Sequence, residues 1–263
     1  TVSITSALLL LSTDRLRYVP DGENADSGSV TYQAWDQTSG SAGNKVDVST
    51  SGAATAFSNT QASATIVVTA ANDAPVLDNT GGANFASITE EDTGNNGELV
   101  STLVGSSISD VDAGAVEGIA VTGLTGSDGI WQFSGDNGST WTDVGTVSIT
   151  SALLLLPTDR LRYVPDGLNG DVGSVTYRAW DQTSGTAGNK VDVSTNGGTT
   201  AFSTETDTAT IAVTSVNDAP VLATTGGSSF TTISEDDTAN NGELVSTLVG
   251  SSISDVDAGA VEG

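Results

Sequence analysis

The sequence has no cysteine, no histidine and no methionine, and only seven lysines and arginines. Each absence removes a class of chemistry. Without cysteine there are no disulfides, so small domains must be held by packing or by a bound ion. Without histidine and cysteine the usual ligands of zinc, iron and copper are missing, and so are Ser-His and Cys-His nucleophile systems. Seven cations against 33 Asp and Glu leave a net charge of −26. Nucleic acid is excluded as a partner on that ground, because phosphate binding needs clustered cations. An acidic membrane surface is excluded for the same reason. No apolar run approaches the roughly 18–20 residues of a membrane span, so no direct membrane insertion is expected. The acidity itself has two explanations: solubility through mutual repulsion, or carboxylates that hold divalent cations.

What is present is a repeat. TVSITSALLLL at Thr1 returns at Thr146, an offset of 145 residues. AWDQTSG at Ala34 returns at Ala179, NDAPVL at Asn72 returns at Asn217, and GELVSTLVGSSISDVDAGAVEG at Gly97 returns unchanged at Gly242. A period of that length corresponds to a whole domain rather than a solenoid unit. Proline stops strand pairing and suits linkers, so the Asn-Asp-Ala-Pro segments mark the breaks. The expected division is 1–75 as the C-terminal part of one repeat, 76–220 as a complete repeat and 221–263 as the N-terminal part of the next. The last piece has no counterpart of Ile119–Gly145, which leads us to expect a window from a longer array.

Thr and Val dominate the periodic segments and turn residues separate them, which reads as an all-β fold, a sandwich of two antiparallel sheets. Strands are expected at Phe85–Ile88, Leu99–Val104, Ile119–Leu124, Ile130–Ser134, Thr140–Val144, Leu161–Val164, Val175–Ala179, Val191–Ser194 and Thr208–Val213. Thr146–Leu156 reads as a strand or a short helix, because its SALLLL run is ambiguous by periodicity; a strand, or one helical turn leading into a strand, is favoured. Tyr177 and Ala179 should face one side of their strand, and Thr176 and Arg178 the other.

Four motifs carry oxygen ligands. Ser-Asp-Val-Asp-Ala-Gly at Ser109 and Ser254 places two carboxylates at i and i+2 beside a glycine that lets the backbone bend. Asn72-Asp73 and Asn217-Asp218 fall where repeats join. Glu90-Glu91-Asp92 crowds three carboxylates that repel unless neutralised. Trp35-Asp36 and Trp180-Asp181 pair a core aromatic with an acid that serves as ligand or turn cap. The bland reading of each is a solvated turn. Asp166, Asn169 and Asp171 form a further oxygen-rich turn, which either takes a separate surface cation or, the favoured reading, is a plain turn.

The order of these elements, with LRYVPDGLNGDVGSVTYRAWDQT from Leu161, resembles the cadherin-like tandem repeats of large surface adhesins that bacteria export by type I secretion. That resemblance spans the whole repeat unit. It implies tandem Ig/cadherin-like β-sandwich domains with Ca²⁺ held between successive repeats. By position, Asn72 and Asp73 would meet Asp110, Asp112 and Asp181 at the first junction. Glu90, Asn217 and Asp218 would meet Asp255 and Asp257 at the second. Animal cadherins have longer linkers richer in Asp and Asn, so one or two ions per junction are expected here. The implied function is a secreted, non-enzymatic spacer at the bacterial cell surface that projects a distal ligand-binding domain, with neighbouring identical repeats as partners. The alternative is a filament subunit assembled head to tail by complementation of split domains. A third possibility is a carbohydrate-binding or hydrolytic role using Trp131 or Trp141 and paired carboxylates. Ser134–Trp141 matches the Asp-box hairpin found in sialidases and many other β proteins, and is expected to be structural.

Overall fold

β-Branched and aromatic residues fit a pleated, half-buried surface, and here they set the architecture. The computed structural model describes residues 1–224 and 229–261. The chain is all-β, 33% strand and 4% helix, in several antiparallel sheets. It divides into two units. The first is Thr1–Asn72 together with Val111–Ala113, and the second is Asp73–Asp110 together with Gly114–Gly263.

In the first unit, β1 (Ala7–Leu8) and β3 (Lys45–Val46) pair antiparallel, as do β2 (Asp26–Tyr32) and β4 (Ala62–Val68). The second unit begins with β5 (Val76–Leu77), β6 (Ile88–Thr89), β7 (Glu98–Leu99), the five-residue helix α1 (Val100–Val104) and β8 (Ile108–Ser109). It continues with β9 (Gly118–Thr125), β10 (Gly129–Ser134), β11 (Thr142–Asp143), β12 (Ala152–Leu155), β13 (Arg160–Pro165), β14 (Asp171–Trp180), β15 (Lys190–Val191) and β16 (Asp207–Thr214). After the Asn-Asp-Ala-Pro exit come β17 (Val221–Leu222), the helix α2 (Val245–Val249) and β18 (Ile253–Ser254).

A four-stranded sheet runs β11-β10-β13-β7 and a six-stranded sheet runs β15-β12-β9-β14-β16-β6. Their pairings are antiparallel except that β6 joins β16 in parallel, with Ile88 opposite Val213. One core draws on both sheets: Ile119, Val121, Leu153, Leu155, Val175, Tyr177 and Ile211 come from the larger, Trp131, Leu161 and Tyr163 from the smaller. Phe85, Trp131 and Tyr163 stack through it at tilted angles, with successive ring centroids 5.2 Å apart. A second, smaller core lies among Ala120, Leu154 and Trp180 from the larger sheet and Val193, Ala201 and Phe202 from the loops after it.

That second core explains the SALLLL run. Leu153 and Leu155 enter one core and Leu154 the other, so all of β12 is buried and no period-2 signal is left to read. A strand forms over Ala152–Leu155, the second half of the expected Thr146–Leu156. The faces of β14 follow the expected alternation: Tyr177 and Ala179 lie in the main core, while Thr176 is half-buried and Arg178 turns its guanidinium to the carbonyls of Ser203 and Thr204.

Of the expected strands, Phe85–Ile88 reaches β6 only at Ile88, Val191–Ser194 reaches β15 only at Val191, and one is overturned. The segment expected as a strand at Leu99–Val104 is helical from Val100 to Val104. The expectation rested on its valines, but the buried residues are Val100, Leu103 and Val104. That spacing of i, i+3 and i+4 presents one helical face to the core. The first turn is tied down by tertiary contacts, with the Val100 and Ser101 amides donating to the carbonyls of Asp159 and Pro157. Gly97, just before this element, has φ +55° and lies so close to β13 that an added Cβ would sit 2.3 Å from the Leu161 carbonyl oxygen. Only glycine fits that approach.

Candidate metal centre

Within the second unit, one carboxylate oxygen from each of Glu90, Asp218 and Asp257 falls within 4.8 Å of the others. The three come from distant parts of the sequence. Glu90 extends β6, the edge strand laid along β16, and its amide donates to the Thr214 carbonyl. Period-2 alternation puts it on the same face as Ile88, which packs on the core. Glu90 is therefore carried inward and is 0% exposed. Asp218 belongs to the Asn-Asp-Ala-Pro exit, and Asp257 to the Asp-Val-Asp-Ala-Gly loop beyond it.

Hydrogen bonds lock the backbone around these acids. Glu90 Oε1 accepts from the Val216 amide at 2.6 Å. The Asp218 amide donates to Asp257 Oδ2 at 2.9 Å, and the Asp257 amide to Asp255 Oδ1 at 2.9 Å. Asn217 Nδ2 donates to the Asp218 carbonyl at 2.8 Å. Two oxygens in this cluster, Glu90 Oε2 and Asp218 Oδ2, are buried and have no hydrogen-bond partner. A buried carboxylate oxygen left in that state costs free energy unless a positive charge faces it. At an effective dielectric of about 20, two unit charges about 5 Å apart repel by roughly 3 kcal/mol. The donor set is hard oxygen throughout, the chemistry that suits Ca²⁺ and Mg²⁺ rather than softer metals.

Of the residues expected at the second junction, Glu90, Asp218 and Asp257 are thus brought together. Asp255 supports Asp257, and Asn217 braces its own linker. Of those expected at the first junction, Asn72 and Asp112 fall in the first unit, and Asp73, Asp110 and Asp181 in the second. Asp181 is buried, and its Oδ1 accepts from both the amide and the hydroxyl of Thr183. Asp36 holds Thr38 in the same way in the first unit, which pulls its carboxyl below the usual carboxylate range, the Thr38 hydroxyl contributing most. The turn-capping role left open for these two acids is occupied.

The acidic triplet splits three ways. Glu90 is buried, Glu91 is exposed, and Asp92 caps the local turn by accepting from the Thr89 amide and hydroxyl. The Asp-box hairpin is a closed hydrogen-bonded unit. Asp136 accepts from the Thr140 amide at 2.8 Å, the Thr140 hydroxyl at 2.7 Å and the Ser134 hydroxyl at 2.7 Å. Trp131, one candidate for sugar stacking, is buried with its indole N–H on the Thr125 carbonyl. Trp141 is half-buried, with the Arg162 guanidinium 4.0 Å from its ring centroid.

Asn169 is more than a turn residue: its Oδ1 accepts from the Ala258 amide at 3.2 Å, directly beside Asp257. The signal that points to it is the repeat: Asn24, its counterpart, touches the corresponding residues.

Among the described residues no helix is long and apolar enough to cross a membrane. Comparison with protein-family models, with curated proteins and with solved structures gave no match.

Proposed function

We propose that this chain is a Ca²⁺-rigidified spacer: tandem Ig/cadherin-like sandwich domains from a secreted bacterial surface adhesin, whose task is mechanical. The observation that carries the reading is Glu90. It is a fully buried glutamate with one oxygen unpartnered, gathered with Asp218 and Asp257 where one copy of the repeat gives way to the next. The span of up to 4.8 Å is about twice a Ca²⁺–oxygen bond of ~2.4 Å, so one ion fits among the three. Glu90, Asp218 and Asp257 would hold it, and main-chain carbonyls and water would complete a shell of six to eight oxygens. A bound cation replaces mutual repulsion by attraction and ties Glu90 of the complete repeat to Asp257 of the following one.

The sandwich reading is supported by the four- and six-stranded sheets that share one core. Outside cells, millimolar Ca²⁺ would fill sites of modest affinity, and a Ca²⁺-poor cytosol would leave the joints loose for export. Repeats built in this way require only each other as partners along the array. The distal ligand would be bound elsewhere in the adhesin.

A catalytic reading gains nothing from this cluster, because Glu90 is sealed from solvent.

The test is calorimetric titration of the chain with Ca²⁺, alongside solution scattering in Ca²⁺ and in chelator. The spacer reading expects binding and a longer, stiffer particle with Ca²⁺. Absence of binding at millimolar Ca²⁺, or identical scattering in both conditions, would overturn it.

A further inference from the structure

We infer that Asn169 is a positioning residue for the acidic centre. Its carboxamide grips the main chain next to Asp257, and so fixes where that carboxylate stands relative to Glu90 and Asp218. This rests on the cation reading for its purpose, though the grip itself is a property of the fold.

The grip begins with a well-anchored turn. The Asp166 amide donates to the Asp128 carbonyl at 2.8 Å, and Asp166 Oδ1 accepts from the Leu168 amide at 3.0 Å. The Gly170 amide donates to Ser215 Oγ at 2.9 Å. A Cβ on Gly170 would lie 2.8 Å from both the Ser215 nitrogen and the Val213 carbonyl oxygen, so the approach needs glycine. Val213 and Ser215 lead directly into the linker that carries Asp218, and a Cβ on Gly167 would touch the Glu90 carbonyl oxygen at 3.9 Å. The turn holding Asn169 is therefore bonded to the segment that leads to Asp218 and lies near the one that carries Glu90. From that base, Asn169 Oδ1 takes the Ala258 amide.

The same acceptor contact occurs a second time, within the first unit, with a donor contact beside it. Asn24 Oδ1 accepts from the Ala113 amide at 3.1 Å, and Asn24 Nδ2 donates to the Val111 carbonyl at 2.9 Å. These two groups flank Asp112, the counterpart of Asp257. The neighbours of the asparagine differ between copies, Glu23 and Ala25 in one, Leu168 and Gly170 in the other, while the asparagine and its target are the same. A carboxamide suits this task because it carries donor and acceptor together. An aspartate would lose the donor and add a further negative charge beside the cluster. Alanine would lose both.

The experiment uses the full chain with Asn169→Ala, Asn169→Asp and Glu90→Gln. Ca²⁺ affinity is measured by calorimetry, and exchange of the Ala258 amide is followed by NMR in chelator. Asn169→Ala should weaken Ca²⁺ roughly tenfold, as loss of support for a metal ligand does. It should also speed Ala258 exchange several-fold, while the unfolding midpoint of the β9–β16 core stays unchanged. Asn169→Asp keeps the acceptor, so it should leave the Ala258 amide protected close to the parental level. Glu90→Gln should abolish Ca²⁺ binding and leave Ala258 exchange in chelator as in the parent. If the parent binds no Ca²⁺ the cation reading falls, and positioning with it, while the exchange arm alone still reports the grip. With Ca²⁺ bound by the parent, positioning is overturned if Asn169→Ala exchanges faster but keeps parental affinity. It is equally overturned if affinity falls without faster exchange, which would make Asn169 a direct ligand.

Discussion

Glu90 and Asp218 face the same point from the two ends of one repeat: Glu90 closes the edge strand β6, and Asp218 stands in the linker after β16, the strand that β6 pairs with. Parallel pairing brings the two together, because it sends both strands out of the sheet at the same end. The backbone confirms the fit, as the Val216 amide in that linker binds Glu90 Oε1.

Neutralising Glu90 while keeping its shape separates repulsion from ligation. The calcium-free Glu90→Gln chain should unfold at a higher temperature than the calcium-free parent, since three crowded charges become two. In Ca²⁺ at 100 times the dissociation constant the parent gains about 2.7 kcal/mol, and the variant should gain little. Thermal unfolding with and without chelator reads both effects, and an unchanged Ca²⁺ response in the variant would count against the centre.

Tyr163 donates its hydroxyl to Asp171 Oδ2 at 2.6 Å, and the same oxygen accepts from the amides of Ser127 and Asp128. Partial burial pushes the Asp171 carboxyl up, but the Tyr163 hydroxyl and the surrounding amides outweigh it and hold the group below its ordinary value. Tyr163→Phe removes one hydrogen bond to a charged group, worth about 1.5–3 kcal/mol. Urea unfolding should show that loss, and Asp171 should titrate at a higher pH in the variant.

Asp136 has its carboxyl lowered from 3.8 to about 2, first by the Thr140 hydroxyl, then by the Thr140 amide and the Ser134 hydroxyl. A carboxylate with a depressed folded value contributes stability that is complete above its unfolded value and fades as pH falls through the folded one. The hairpin should therefore lose stability between about pH 4 and pH 2. Asp136→Asn should flatten that segment of the profile. Carboxyl NMR should place the Asp136 midpoint near 2, and a midpoint near 3.8 would refute the assignment.

Leu154 and Leu155 are adjacent and both 0% exposed, on opposite faces of β12. Each truncation to alanine should cost about 2–5 kcal/mol. In a strand buried on one face alone, one of the two would be nearly silent, so matched losses on denaturant unfolding test the two-core arrangement.

Much of this was legible in the residues. The hairpin of β10 and β11 forms around Asp-Asn-Gly, with Asn137 at φ 59° as that turn requires. Glu90, Asp218 and Asp257 were reached from motif spacing and resemblance together. Helix α1 was missed because its valines outweighed a short i, i+3, i+4 pattern, and its amides are held by carbonyls far along the chain. Asn169 was not legible as more than a turn residue because its target, the Ala258 amide, lies in the next copy of the repeat.

The acidic centre takes a glutamate from one copy and an aspartate from its successor, so the two sides of the joint are not interchangeable. Such a contact is heterologous, and repetition of it gives a chain with direction. If an ion binds there as proposed, copies joined through it would be linked end to end in one direction, and the joint would not serve lateral pairing of antiparallel arrays.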